Sequence, residues 1–271
     1  MIQIFILKLL VSIIVVVGLS LIAENVSPKI AGILSGCPTG SAISLFFFGL
    51  ENSPEFAGES ALFNVFGISA SLVFLYVYYQ VSLYTKRFVI LQSSIYGIIA
   101  FLVSIYLLQF LSTMPSYISV VISVLMVLLF KYLFKKIDDI KIVKKSKPTL
   151  LQMTLRGGLA AVIILAITGV STLLGAKWAG LISAFPTTLF PLLLIMHYTY
   201  SKEHVHSIIK NVPTGTLSLI LYALAIYFAY PSYGIYTGTV IAYGVVVIYL
   251  IAFKFINTMN SKKENLNSAF K

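Results

Sequence analysis

The chain has few charged residues and a single cysteine. Of its 271 residues, 10% are charged and 59% are hydrophobic, and the mean hydropathy is +0.99. Soluble domains carry about 25% charged residues, so this composition excludes a water-soluble fold, a disordered chain and a coiled coil. The lone Cys37 forms no intrachain disulfide, so cysteine usage does not indicate a redox compartment. The composition predicts a polytopic membrane protein.

Several catalytic and nucleotide-binding patterns are also missing. The sequence contains no His-Glu-x-x-His, no paired intramembrane aspartates, no Gly-x-Ser-x-Gly and no P-loop. No basic and aromatic nucleic-acid-binding signature accompanies the net charge of +11. We therefore expect neither an enzyme nor a nucleic-acid-binding protein, and neither a cofactor nor a metal site.

Nine apolar runs are long enough to cross about 30 Å of hydrocarbon. They lie near 2–23, 30–50, 61–82, 88–110, 115–134, 151–174, 178–199, 207–229 and 232–254. They are too long and too uniformly apolar for barrel strands, so the predicted fold is all-α. The predicted division is a first membrane repeat with one extra helix at 1–134, a basic cytoplasmic linker at 135–149, a second membrane repeat at 150–256 and a polar C-terminal tail at 257–271.

The basic residues lie beside the apolar spans. Seven lysines lie within 131–147 and more lie in the tail, whereas the joint 51–60 carries three glutamates and no basic residue. Basic joints are typical of cytoplasmic loops. In a nine-span chain this rule predicts an N-terminus outside and a C-terminus in the cytoplasm, with Lys177 as the one basic joint residue on the other side.

The chain also matches itself after a shift of 148 residues. The shift places Lys8 on Arg156, Lys29 on Lys177, Ala31-Gly32 on Ala179-Gly180, Ser35 on Ser183 and Pro38-Thr39 on Pro186-Thr187. After one deleted residue, Ser60 matches Ser207, Asn64 matches Asn211 and Ser71 matches Ser218. Five predicted spans precede the second copy, which therefore enters the membrane from the opposite face. The sequence thus predicts two inverted repeats, a recurrent plan of transporters.

The second copy carries a recognisable set of short segments. These are Ala-Gly-Leu at 179–181, Phe-Pro-Thr at 185–187 and Leu-Ile-Met-His-Tyr at 194–198. In these segments the chain resembles the GlpM family of small bacterial inner-membrane proteins and related four-span families, over 151–254 and more weakly over 2–82. The first copy departs from the pattern, since Cys37 replaces the Phe and no His follows near Phe48. The resemblance implies a prokaryotic plasma-membrane unit that works as a pair, fused here in one chain.

Each copy contains a segment interrupted by proline. Proline removes a backbone donor and breaks a helix, and small hydroxylated neighbours can offer polar groups to a ligand. Matched interruptions in two halves indicate a transporter's binding site, and the alternative is that they are close-packing faces of helices. The candidate substrate-binding residues are Ser35, Pro38, Thr39, Ser183, Pro186, Thr187, Asn64 and Asn211. For the two asparagines, interhelical hydrogen bonding is the alternative to lining a pore.

Charged and titratable side chains within the spans give weaker hypotheses. Lys8 and Arg156 lie one to two turns into equivalent spans, where they either attract an anionic substrate or lipid headgroup or extend to the interface. His197, near the cytoplasmic end of a span, is expected to be an interfacial hydrogen-bonded histidine. No Asp or Glu falls securely within a span, which argues against coupling through a buried carboxylate.

The predicted function is a secondary transporter or channel for a small solute in a lipid bilayer. One alternative is a non-transporting membrane subunit that scaffolds or regulates a larger complex. Another is a lipid-handling enzyme or flippase that depends on Lys8 and Arg156. The sequence leaves the substrate, the coupling ion and the oligomeric state open.

Overall fold

The computed structural model describes residues 2–113, 116–140 and 149–269, and within these ranges the chain is helical and forms no strand. The α-helices are α1 (Ile2–Asn25), α2 (Pro28–Gly36), α3 (Gly40–Glu51), α4 (Pro54–Tyr84), α5 (Val89–Leu108), α6 (Ser116–Leu133), α7 (Leu150–Ser183), α8 (Leu189–Thr199) and α9 (Lys202–Ala269). Short 3₁₀ helices follow α5 at Gln109–Thr113 and α6 at Phe134–Lys136. The joint at 114–115 and linker residues 141–148 lie outside the described residues, as do the side chains beyond 255.

Six helical stretches in the described part of the chain are long and apolar enough to cross a membrane. They are Pro28–Glu51, Pro54–Tyr84, Val89–Leu111, Ser116–Lys136, Leu150–Val170 and Lys202–Phe255. Gln3–Gly18 and Leu189–Thr199 are shorter apolar helices. Large apolar side chains on α5 and α6, such as Leu102, Leu107 and Leu125, are more than half exposed. Apolar surface of this extent is rare on soluble monomers, so these apolar helices indicate a membrane-embedded all-α protein.

Helix α9 consists of two arms that turn back on each other at Gly234. The rings of Tyr222 and Tyr243 lie 4.9 Å apart, although a straight helix would separate these positions by about 30 Å. The hydroxyls of Tyr230 and Thr239 are 2.7 Å apart across the same turn. Gly234 has φ of 74°, a conformation that glycine adopts at little cost. The two arms therefore lie side by side.

Helix α7 has the same kind of break at Gly175, where φ is 78°. The 148-residue shift places Gly175 on Ser27, which has an extended backbone and whose hydroxyl accepts a hydrogen bond from the Ile30 N–H. Pro28 then occupies the first helical position of α2, where its missing N–H costs nothing. The backbone therefore turns at matching positions in the two copies, through Ser27 and Pro28 in the first and through Gly175 in the second.

Both proline-containing segments interrupt a helix. Helix α2 ends at Gly36, and Cys37 is extended with φ of −73° and ψ of 162°. Proline sterically disfavours the helical conformation of the residue that precedes it. This explains why Cys37 is extended and α2 ends before Pro38. In the second copy, α7 ends at Ser183 and α8 begins at Leu189, with Pro186 between them.

Equivalent long helices of the two copies run antiparallel. Between α1 and α7, Lys8 contacts Thr168, whereas Gly157 near the start of α7 faces Val17 further along α1. Between α4 and the first arm of α9, Gly58 near the start of α4 faces Pro231, and Ser82 near its end contacts His206. Helix α4 supplies much of the buried core, including Phe66, Leu72 and Phe74.

Glycines allow each short broken helix to approach a long helix of the other copy. A Cβ atom at Gly32 of α2 would overlap the Ile208 carbonyl oxygen of α9. The matching position Gly180 of α7 would overlap the Ser60 carbonyl oxygen of α4. Gly32 and Gly180 match under the 148-residue shift, and Ile208 is the residue after Ser207, which matches Ser60. The same close approach therefore occurs twice with the partners exchanged.

Candidate functional site

The two helix breaks lie side by side around a cavity of about 40 Å³. This volume holds a few water molecules. Small and hydroxylated residues of the breaks form most of the lining, and α4 and α9 close it with apolar side chains such as Leu72 and Val212. The polar lining residues are Ser35, Cys37, Thr39, Ser41, Ser71, Thr187, Thr188 and Thr216.

Direct contacts join the two breaks. The Oγ1 atoms of Thr39 and Thr188 lie 2.8 Å apart, and the Ser41 hydroxyl donates to the Ser183 carbonyl oxygen over 3.0 Å. Gly40 lies against Thr187 so closely that a Cβ atom at position 40 would overlap the threonine hydroxyl. The tertiary fold therefore brings together two segments that lie almost 150 residues apart in the sequence.

Polar groups of α4 and α9 hold the backbone carbonyls of the breaks. The Ser71 hydroxyl of α4 donates to the Ala184 carbonyl oxygen, and the Tyr243 hydroxyl of α9 donates to the Pro38 carbonyl oxygen over 3.3 Å. Because proline interrupts the helical ladder, these carbonyls need such external donors. Ser71 and Tyr243 were not among the candidate residues, although Ser71 belonged to the sequence repeat.

Of the eight candidate residues, four line the cavity: Ser35, Thr39, Pro186 and Thr187. Ser183 is not a lining residue of the cavity. Its Oγ atom accepts a hydrogen bond from Asn64 Nδ2 over 2.8 Å. Asn64 is fully buried on α4 and acts there as an interhelical contact. Pro38 contributes its carbonyl to the contact with Tyr243.

Asn211 does not reach the cavity. Its Nδ2 atom donates to Asp139 Oδ1 over 3.0 Å and to the Ser207 carbonyl oxygen over 2.8 Å. Lys210 Nζ lies 2.9 Å from the other Asp139 oxygen. Burial raises the pKa of the Asp139 carboxyl, but the hydrogen bonds from Lys210 and Asn211 together outweigh it and hold this pKa below its usual value. The first residues of the predicted linker are thus anchored to α9.

Lys8 is a buried residue in a polar cluster away from the breaks. Its Nζ atom is 2.5 Å from Glu51 Oε2 and 2.8 Å from Thr168 Oγ1. It also lies 5.8 Å from the centre of the Phe47 ring. The carboxylate of Glu51 compensates the charge of Lys8, so an anion attracted by Lys8 must compete with that carboxylate. The anion-attracting role of Lys8, and of the buried Arg156 on α7, stays a prediction.

The histidines form hydrogen bonds to helix α4 or to a neighbouring turn. His197 Nδ1 lies 3.1 Å from the Tyr78 hydroxyl oxygen, and His206 Nε2 lies 2.6 Å from Ser82 Oγ. His204 Nδ1 contacts the Ser201 hydroxyl. Among the described residues, no group of three or more His, Cys, Asp or Glu side chains is arranged to hold a metal ion.

No protein-family model matches the chain, and neither the curated proteins nor the solved structures contain a match. The similarity to the GlpM family therefore rests on the short segments of the second copy alone and stays a prediction.

Proposed function

We propose that the chain is a secondary transporter or channel for a small solute, which binds where the two helix breaks meet. The observation that carries this proposal is the contact between matched breaks, seen in the Thr39–Thr188 hydroxyl pair at one cavity. Discontinuous helices from two repeats that converge on one site are typical of transporters. The proposed location is the plasma membrane of a prokaryote, with the N-terminus outside and the C-terminus in the cytoplasm.

The proposal includes an inverted-repeat arrangement with nine crossings. The antiparallel packing of α1 on α7, and of α4 on the first arm of α9, supports it because an in-plane two-fold axis reverses equivalent helices. The exchanged contacts of Gly32 and Gly180 support the same symmetry. The crossings are α1, α2 with α3, α4, α5, α6, the two parts of α7 before and after Gly175 (the second continued by α8), and the two arms of α9.

In this mechanism, the solute gains access when the halves rock and the contacts across the breaks open. The hydroxyl pair Thr39–Thr188 and the Ser41–Ser183 hydrogen bond close the site in the structure described. These neutral contacts exchange readily with water or solute, because a typical hydrogen bond contributes only about 1 kcal/mol net. The charged pair Lys8–Glu51 lies away from the site and is free to remain closed.

The test is solute flux across proteoliposomes that contain the full-length protein, with a panel of labelled small anions, cations and neutral solutes. We expect Pro38→Ala and Pro186→Ala each to reduce flux at least about tenfold, because alanine lets the helix continue into the cavity. The matched control is Pro54→Ala. Pro54 occupies the start of α4, where proline interrupts no hydrogen bond, so flux should be retained.

A second experiment cross-links the two helix breaks covalently. In a Cys37→Ser background, the pair Thr39→Cys and Thr188→Cys should form a disulfide that stops flux until it is reduced. Unchanged flux in both proline variants and in the cross-linked protein would overturn the proposed mechanism. Absence of flux for every solute, together with a stable co-purifying partner, would instead favour the non-transporting subunit.

A further inference from the structure

The cavity between the breaks presents free backbone donors. Helices α3 and α8 both begin at this cavity, and their N-cap residues Thr39 and Thr188 bond to each other and not to their own helices. The first turn of a helix without a side-chain cap leaves N–H groups unpaired. Within the described contacts, the N–H groups at 40–42 and 188–189 have no acceptor.

Most of the backbone acceptors around the cavity are already used. The carbonyl oxygen of Ser183 accepts from Ser41, and that of Ala184 accepts from Ser71. The next two carbonyls, at 185 and 186, accept backbone N–H groups, and the Pro38 carbonyl accepts from Tyr243. Within the described contacts, the carbonyls at 35, 36 and 187 have no donor, so the free N–H groups at the cavity outnumber the free carbonyl oxygens. This arrangement favours a ligand that accepts hydrogen bonds.

The Thr187 side chain supplies a further unpaired polar group at the cavity. Thr187 lines the cavity and is fully buried, and within the described residues its Oγ1 atom has no hydrogen-bond partner. A buried hydroxyl without a partner is costly, and a bound acceptor recovers that cost. The Thr187 hydroxyl can both donate and accept, so it adds one further donor to the free N–H groups of the helix ends.

The charges around the cavity indicate the sign and size of the ligand's charge. No Asp, Glu, Lys or Arg side chain is among the residues that line the cavity. Each helix N-terminus supplies about half a positive elementary charge, and the C-terminal ends of α2 and α7 oppose it. The hydroxyls of Ser41 and Ser71 reduce the opposing effect of α7 by binding its last carbonyls. Such a field favours a single negative charge over a polyanion.

We infer that the ligand of the cavity is a small monovalent anion of a few non-hydrogen atoms, held by the N–H groups that begin α3 and α8 and by the Thr187 hydroxyl. The inference rests on the proposed function for the choice of site and adds the substrate class. The cavity of about 40 Å³ has room for a ligand of this size. Formate and chloride are the probes that match this charge and size.

The native Cys37 reports on binding, because it lines the cavity and is the one cysteine of the chain. The rate of its alkylation by iodoacetamide, a small uncharged thiol reagent, is measured on the full-length protein in proteoliposomes, with sodium gluconate as the reference salt. Replacing gluconate with formate or chloride at constant ionic strength should slow alkylation at least about fivefold. Replacing sodium with potassium should leave the rate unchanged. Protection that follows the cation, or no protection by either small anion, would overturn the inference.

A matched pair of variants tests the hydroxyl. Thr187→Val keeps the shape of the side chain and should raise the half-protecting formate concentration about tenfold. Thr154→Val makes the same change at an exposed position of α7 and should leave that concentration unchanged. Thr187→Ser retains the hydroxyl and should restore most of the protection. Equal protection in Thr187→Val and the wild type would contradict the assigned role of Thr187.

The anion inference and the proposed transport function fail in different ways. Flux of a neutral or cationic solute that is lost in the proline variants, without anion protection of Cys37, overturns the anion inference and leaves the transport proposal standing. Anion protection without flux of any solute supports the anion site and overturns transport. Flux of formate or chloride together with protection supports both.

Discussion

The two halves of the molecule share their backbone packing and differ in their polar contacts. The Gly32 and Gly180 contacts are equivalent under the 148-residue shift. Asn64 and Asn211 are equivalent in the repeat, yet Asn64 binds Ser183 beside the cavity and Asn211 binds Asp139 at the linker. Both copies keep glycine where backbones touch, because a Cβ atom there would collide with a carbonyl oxygen, whereas the partners of the matched polar side chains differ.

The charged residues show the same divergence. Lys8 pairs with Glu51 at the end of α3. The shift places Thr199 on Glu51, so Arg156, which matches Lys8, has no acidic residue at the corresponding position. The two copies therefore carry different charged side chains at matched positions.

The largest expected effect is an all-or-none test of the inverted arrangement. In a Cys37→Ser background, single cysteines replace Glu55 and Lys141, and a membrane-impermeant thiol reagent is applied to intact cells. We expect labelling at 55 from outside and at 141 only after permeabilisation, because an odd number of crossings separates the two positions. Labelling of both positions from the same face would mean parallel repeats, and the transporter proposal would lose its main support.

Breaking the Lys8–Glu51 pair should have the largest effect on stability. Glu51→Gln leaves the buried Lys8 ammonium without its counter-charge, so we expect a loss of up to about 3–5 kcal/mol in the free energy of unfolding. Lys8→Met combined with Glu51→Leu should recover much of that loss. The measurement is reversible unfolding in detergent, with the exposed Lys29→Met as control. Equal stability of Glu51→Gln and wild type would show that the pair is not formed.

The glycine contacts should respond equally in the two halves. Gly32→Ala and Gly180→Ala each force a Cβ atom against a carbonyl oxygen, so each should cost about 1–3 kcal/mol. Gly158→Ala is the matched control, because a Cβ atom there meets nothing within 4 Å and should stabilise α7 by up to about 1 kcal/mol. A large loss in one half alone would contradict the shared packing.

The two asparagines should respond unequally. Asn64→Ala removes a buried donor and leaves the Ser183 hydroxyl with one contact fewer, so we expect a loss of about 1–3 kcal/mol together with altered Cys37 alkylation. Asn211→Ala should cost about 1 kcal/mol and leave Cys37 alkylation unchanged, because its partner Asp139 lies at the linker. The same change in alkylation for both variants would contradict the placement of Asn211.

The smallest expected effect is a pH dependence carried by Asp139. Its pKa in the folded protein lies below the ordinary value of 3.8, so folding favours the ionised carboxylate. Its contribution is full above pH values near 3.8 and is lost as the pH falls through the lower pKa of the folded state. For a partly exposed pair this amounts to about 0.2–1 kcal/mol. Asp139→Asn should reduce the loss of unfolding free energy at acid pH, measured by unfolding in detergent at a series of pH values. An unchanged pH dependence in this variant would exclude the contact with Lys210.

Part of this architecture could be predicted from single segments of the sequence, because it depends on local chemistry. Proline removes a donor and restricts the preceding residue, so the breaks at Pro38 and Pro186 follow from their neighbours along the chain. The apolar runs predicted an all-α membrane protein because lipid offers no partner to an unpaired backbone group. The repeat also nominated Ser35, Thr39 and Thr187, which line the cavity.

Other contacts depend on distant segments that meet after folding. Glu51 occupies a polar joint in the sequence, and its role as the counter-charge of Lys8 follows from the meeting of α1 with the end of α3. The contact of Tyr243 with Pro38 requires the turn at Gly234, which positions the second arm of α9 beside the first break. Periodicity and local preference specify which residues form helices. The partner of a polar side chain is set by which helices pack together, because hydrogen bonds and ion pairs act over a few ångströms in space, whatever the separation along the chain.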